Sequence, residues 1–262
     1  MILIEKIVCS EPPGVISFVG GGGKTSLMFH LANLLVLTGQ RVLTTTTTRI
    51  FIPSPEQSET VLVDSDPHMI LRLASSCRNY SPHITAVTAR LADNGKLKGF
   101  SPEDISVFEQ SGLFDWILVE ADGAAGRPLK APAEHEPVIP SNTTILVAVA
   151  GLDVLGQPLS EDSVFRSGLA GKLLGLADGE PVSESALALF FSQPSGPFKS
   201  APDRSRRFIF LNKADDAHRI EEGDRIAELI RQTGASVAEA LIVGQALERI
   251  VVHSVHPLVL TL

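Results

Sequence analysis

Lys24 and Thr25 directly follow four consecutive glycines, Gly20, Gly21, Gly22 and Gly23, and are followed by Ser26. An ammonium, two hydroxyls and a stretch of backbone without Cβ atoms suit a polyphosphate. N–H groups of a glycine-rich turn can close around phosphate oxygens because no side chain blocks the approach. Lys24 supplies a full charge, and Thr25 a hydroxyl of the kind that ligates Mg²⁺. A second group is Glu120 and Asp122, at the end of the apolar run 116–119. Two positions apart, they share one face of an extended chain. One carboxylate can hold Mg²⁺, directly or through water, and the other can orient or deprotonate an attacking nucleophile. The third is Asn212-Lys213-Ala214-Asp215, after the apolar run 208–211. There Asp215 could accept from two adjacent donors of a guanine ring, with Asn212 reaching the base and the Lys213 stem packing over it.

Further residues stand near these groups. Five threonines, Thr44 to Thr48, precede Arg49. They read either as an ordinary strand end or as a polar tip at which Thr46 reaches Mg²⁺ and Arg49 a phosphate. Arg127 and Lys130 are candidates for an anionic substrate. Glu134 and His135 could orient a proton donor or help bind a metal, although acids around a lone histidine also suit a solvated loop. Arg166 and Lys172 read mainly as solvated cations.

The elements that must position these groups follow from the pattern. Residues 15–19 read as a buried strand, and an apolar periodicity from Leu27 to Leu37 reads as a helix. Residues 41–45 form the next strand, which makes a β-α-β unit with a right-handed parallel crossover. Asp66-Pro67 and Ser101-Pro102-Glu103-Asp104 mark helix starts, and Asp93-Asn94-Gly95-Lys96 a hairpin turn. Strands are expected at 60–63, 83–88, 143–150, 207–211 and 240–243. Helices are expected at 160–174, 183–192 and 216–233. The fold class is α/β: a mostly parallel sheet flanked by helices, three-layered and Rossmann-like. Residues 1–262 are read as one domain carrying a small helical insertion over 152–205.

Composition narrows the function classes. With 262 residues, 44% of them apolar, the core is ample. A net charge of −8, from 22 Lys+Arg against 30 Asp+Glu, argues against a nucleic-acid partner. Two distant cysteines, Cys9 and Cys77, suit a reducing cytoplasm without a disulfide framework. No apolar run reaches the roughly 18 residues of a membrane span, and no signal peptide is read.

The loop is two residues shorter than the common phosphate loop, since Phe18 stands where the first glycine is usual. That spacing resembles the loops of Mur-type amide ligases and some small-molecule kinases. Across most of its length the chain resembles the YqeC-like proteins, described as accessory proteins of selenium-dependent molybdenum hydroxylases. The resemblance rests on residues 19–25, 42–49, 119–123, 128–140 and 212–215. It implies a P-loop NTPase-like nucleotide-binding fold and a part in maturing a molybdenum enzyme, with that hydroxylase or a molybdopterin-type cofactor as partner. One departure is Phe165-Arg166-Ser167-Gly168, where a His-Arg-Pro-Glu-like element is expected. The first expectation is therefore a Mg²⁺-dependent GTP- or ATP-hydrolysing maturation factor, with GTP favoured. The alternatives are a kinase, nucleotidyltransferase or ligase-like transferase, and a nucleotide-gated binding protein without turnover.

Overall fold

The structure is a computed structural model that describes residues 13–77, 81–92, 95–234 and 237–258. Cys9, the expected arm at 2–8, and Asp93 and Asn94 of the expected hairpin turn lie outside these residues. The strands are β1 (Val15–Gly20), β2 (Val42–Thr46), β3 (Arg49–Phe51), β4 (Thr60–Val63), β5 (His83–Val87), β6 (Ala89–Arg90), β7 (Lys96–Lys98), β8 (Trp116–Glu120), β9 (Leu129–Lys130), β10 (Thr143–Gly151), β11 (Val164–Phe165), β12 (Arg206–Asn212), β13 (Ala240–Ala246) and β14 (Ile250–Pro257). The α-helices are α1 (Lys24–Leu37), α2 (Pro67–Cys77), α3 (Pro102–Gln110), α4 (Ser167–Leu174), α5 (Glu184–Ser192) and α6 (Ala217–Thr233).

Nine strands form the main sheet in the order β14-β13-β12-β10-β1-β8-β2-β5-β4. All neighbours pair in parallel except β13 and β14. β1, β8 and β2 are buried along their whole lengths, as expected of parallel strands covered on both faces. Alternation sorts their side chains. Ile16, Phe18, Trp116, Leu118, Val147 and Phe210 face α1, which adds Leu27, Met28, Leu31 and Leu35. On the other face, Val15, Leu43, Ile117 and Val119 pack with Ile70 of α2 and Ile105 and Phe108 of α3. Val19, Leu146, Ile209 and Leu241 continue that face beneath Ala170 of α4, Leu187 of α5 and Ile226 of α6. The result is the expected α/β sandwich, a mostly parallel sheet flanked by helices, with β1 central and its glycine loop at the carboxyl edge. A separate sheet, β3-β7-β6, is antiparallel.

Local signals explain the helix starts. Ser101 and Asp104 form a reciprocal capping box with Pro102 at the first turn. Asp66 accepts from His68 N at 2.9 Å, and Asp216 caps α6 through Arg219 N at 2.8 Å. The helix expected from Ser160 begins instead at Ser167. The Glu161 carboxylate accepts from the N–H groups of Arg166 and Ser167 at 3.1 and 2.7 Å, which fixes the start there. Val164–Phe165 is thereby left extended to pair with Leu129–Lys130.

The threonine run serves the sheet. Thr44 Oγ1 bonds His83 Nε2 at 3.0 Å and Thr85 at 2.7 Å, and Thr45 donates to Ala86 O at 2.7 Å. Burial lowers the His83 pKa to about 4 from 6.5. A histidine buried neutral stabilises the fold fully above pH 6.5, and that contribution disappears as pH falls through 4. The melting temperature should therefore drop across this window, by up to a loss on the order of 3 kcal/mol. A His83→Gln variant should show a shallower drop when thermal denaturation is followed by circular dichroism.

Candidate functional site

The glycine loop is fixed by two strands and one connection. Gly21 N donates to Val149 O at 2.9 Å, Gly22 N to Arg127 O at 2.9 Å, and Gly20 N to Asp122 Oδ2 at 3.0 Å. Asn212 Nδ2 donates to Gly22 O at 2.7 Å. Glycine is required here for two reasons. Gly22 and Gly23 have φ of +68° and +109°, and a Cβ on them would lie 2.1 Å from Gly151 N and 2.4 Å from Asn212 Nδ2. Gly23 is the N-cap of α1 and provides no side-chain cap, and the first turn carries no acid. The first-turn N–H groups, at Lys24, Thr25 and Ser26, have no intrahelical acceptors and sit at the positive end of the helix dipole. Gly22, Gly23, Lys24, Thr25 and Ser26 line one side of a cleft of about 330 Å³, with Glu120, Arg127 and Lys213 also in its wall. Backbone arranged in this way suits an anion.

The two carboxylates part company. Glu120 lines the cleft, and its Oε2 accepts from Thr25 Oγ1 at 2.6 Å. Burial raises its pKa, against the opposing pull of Lys24 and the Thr25 hydrogen bond. Asp122, expected beside it, lies under the loop instead and is buried. The strand ends at Glu120, so alternation no longer governs Asp122. Its oxygens take the Gly20 N–H, Lys24 Nζ at 3.1 Å and Lys130 Nζ at 3.3 Å. Lys24 Nζ also donates to Gly20 O at 2.5 Å and stands 3.9 Å from Glu120 Oε1. Burial works against the Lys24 charge, but Asp122 and Glu120 outweigh it and raise its pKa.

Beneath these groups is a chain of charges that the sequence did not reveal as a unit. Lys130 Nζ bridges Asp122 and Glu136 Oε2, the latter at 2.7 Å, and Arg166 pairs with the same Glu136 oxygen. Burial would raise the Glu136 pKa, yet Arg166 and Lys130 hold it at about 2. Lys130, expected at a substrate, is a fully buried bridge between two carboxylates. Glu136 and Arg166, not Glu134 and His135, join the site's framework. Glu134 and His135 are exposed and outside the cleft wall. The dense Pro, Gly and charge pattern of 124–137 conceals which of its acids turns inward.

Other expected contacts are also redirected. Thr46 is buried with Oγ1 donating to Glu120 O at 2.7 Å, so its hydroxyl holds two strands together rather than facing a metal. Asn212, expected at a base, ties the loop to β12. Lys213, at φ +64°, pairs with Asp153 at 2.6 Å, and Asp215 beyond it is exposed. Arg127 lines the cleft with its Nε donating to Glu161 O at 2.7 Å, and Arg49 also lines it. Asp153 went unnoticed in the sequence, since Gly-Leu-Asp after a strand is an unremarkable turn.

Removing Lys130 should expose the cost of this network. A Lys130→Met chain keeps the bulk but leaves Asp122 and Glu136 short of a counter-charge, with an expected loss of about 3–5 kcal/mol in urea denaturation. The Glu136 contribution in the native chain is present above pH 4.5 and lost as pH falls toward 2. Glu136→Gln should flatten that acid limb.

Comparison with known proteins places this geometry in context. A family model described as "YqeC protein" matches residues 16–168. The Escherichia coli (strain K12) protein YqeC is 37% identical over 246 residues, 94% of this chain and 93% of its own length. Among solved structures, a chain of the MinC:MinD cell division protein complex of Aquifex aeolicus overlaps with a TM-score of 0.41 at 13% identity, over 90% of this chain and 82% of that one. FtsY from Mycoplasma mycoides overlaps with a TM-score of 0.32 at 9% identity, over 92% and 64%. Overlaps this loose bring nothing about ligand or activity to the present chain. The extent and identity of the sequence matches are of another order, and the chain belongs to the YqeC family.

Proposed function

We propose that this protein binds a nucleoside triphosphate with Mg²⁺, GTP in preference to ATP, hydrolyses it, and acts in the cytoplasm as an accessory factor in maturing a molybdenum-cofactor hydroxylase. The observation that carries the nucleotide reading is the Thr25–Glu120 pair, 2.6 Å apart in the wall of a cleft that also presents the amide-rich start of α1. A hydroxyl and a carboxylate are the hard oxygen donors Mg²⁺ prefers, and this ion commonly takes only one or two protein ligands beside phosphates and water. The pair therefore fits Mg²⁺, which when bound neutralises charge on the β- and γ-phosphates.

The chain's own groups divide the remaining work. The N–H groups at 24–26 and the Lys24 ammonium hold phosphate oxygens. Asp122 and Lys130 keep the glycine turn in place from below. Asn212 couples that turn to β12, and Asp215 stands exposed just past Lys213, where a guanine edge could reach it. The maturation role rests on the family resemblance of residues 128–140, part of which forms the buried charge chain.

Lys24→Ala should abolish nucleotide binding in calorimetry, a loss of about a hundredfold or more; undiminished affinity would reject the assignment. Asp215→Ala should weaken GTP about tenfold while leaving ATP nearly unchanged. Equal losses for both nucleotides would remove the guanine preference. Phosphate release from GTP without any added acceptor, abolished in Glu120→Gln, would support hydrolysis over transfer.

A further inference from the structure

The cleft has a second wall that nucleotide binding leaves unexplained. It is contributed by the small sheet, through Arg49, Phe51 and Lys96. In β3, Arg49 and Phe51 are exposed while Ile50 between them is buried against Val87 and Leu97. The strand pairing sets Lys98 opposite Arg49 and Lys96 opposite Phe51. Directly paired residues share a face, so one face carries three cations and an aromatic ring 65% exposed. The Lys96 ammonium stands 4.6 Å from the ring centroid. Neither Arg49 nor Lys98 makes an ion pair with a described residue. Like charges directly across a strand pair repel, and in a chain of net charge −8 their concentration here calls for an anion.

The order of strands says where this wall lies relative to a nucleotide. Along the carboxyl edge of the sheet the sequence is β12, β10, β1, β8, β2. Asn212 and Asp215 follow β12, on one side of the glycine loop. Glu120 ends β8 on the other side, and Arg49 lies three residues beyond the end of β2. A base at β12 and a metal at Thr25–Glu120 thus direct the terminal phosphate toward the small sheet.

We propose that the face of Arg49, Phe51, Lys96 and Lys98 is a subsite for a second small molecule, one with a phosphate or carboxylate group and a flat apolar body. The anion sits among the cations, and the flat part lies on the exposed surface of Phe51. This deepens the nucleotide reading and rests on it, because the second ligand is placed beside the nucleotide's terminal phosphate.

Phenyl phosphate is a suitable probe, titrated by calorimetry into the full chain saturated with Mg²⁺ and a non-hydrolysable GTP analogue. The loaded protein should take up one equivalent. Arg49→Ala and Phe51→Ala should each weaken that uptake by about tenfold or more, with analogue affinity within about twofold of the parent. No uptake by the loaded parent, or uptake unchanged in both variants, would overturn the subsite. Failure of the analogue itself to bind would instead sink the nucleotide reading, and the subsite with it.

Discussion

Everything at the carboxyl edge depends on one buried carboxylate. Asp122 takes the Gly20 N–H and lies against Lys24 and Lys130, so a single side chain sets the entry to the glycine turn and compensates two ammonium groups. A charge in that position is tolerable only with its partners, because desolvation would otherwise cost several kcal/mol. Glu120, Lys24, Asp122, Lys130, Glu136 and Arg166 together balance three negative charges with three positive ones. Of this set, Glu120 lines the cleft, and so does Lys24. Were Lys24 to turn toward a phosphate, as proposed, Asp122 would retain Lys130 and the Gly20 N–H.

The segment 128–140, on which the family resemblance partly rests, acquires a physical role in this picture. Its Lys130 lies in the short β9–β11 pairing, which also brings Arg166 alongside, and both cations meet Glu136. Phe165, where the family pattern leads one to expect a histidine, lies beneath both cations, 5.9 Å from Lys130 Nζ and 4.9 Å from the Arg166 guanidinium. An aromatic face is a favourable neighbour for a cation in either case. The start of α4 is thus joined to the glycine turn through charge as well as through the core.

Much of this architecture was legible in the sequence because its signals are local. The apolar run before Gly20, the capping box at Ser101 and the Asp216 cap each determine an element from a few adjacent residues. The glycine loop was legible for the same reason. What the sequence concealed depends on residues far apart in the chain. Asp122 turns under the loop because β8 ends at Glu120, and nothing local distinguishes that from one more residue of strand. Thr46 looked like a metal ligand until Glu120 O claimed its hydroxyl. Lys130, Glu136 and Arg166 lie in segments rich in Gly, Pro and charge, where pattern alone does not separate an inward side chain from a solvated one.

The tethering of the glycine turn has a consequence for how tightly an anion can be held. Amides at 20–22 are already spent on Asp122, Val149 and Arg127, and the Gly22 carbonyl on Asn212. The arc thus comes pre-organised: an arriving anion finds its shape already set, and little conformational entropy remains to be surrendered on capture. The same tethers limit the receptive arc to the start of α1, which favours a compact terminal group over a bulky one.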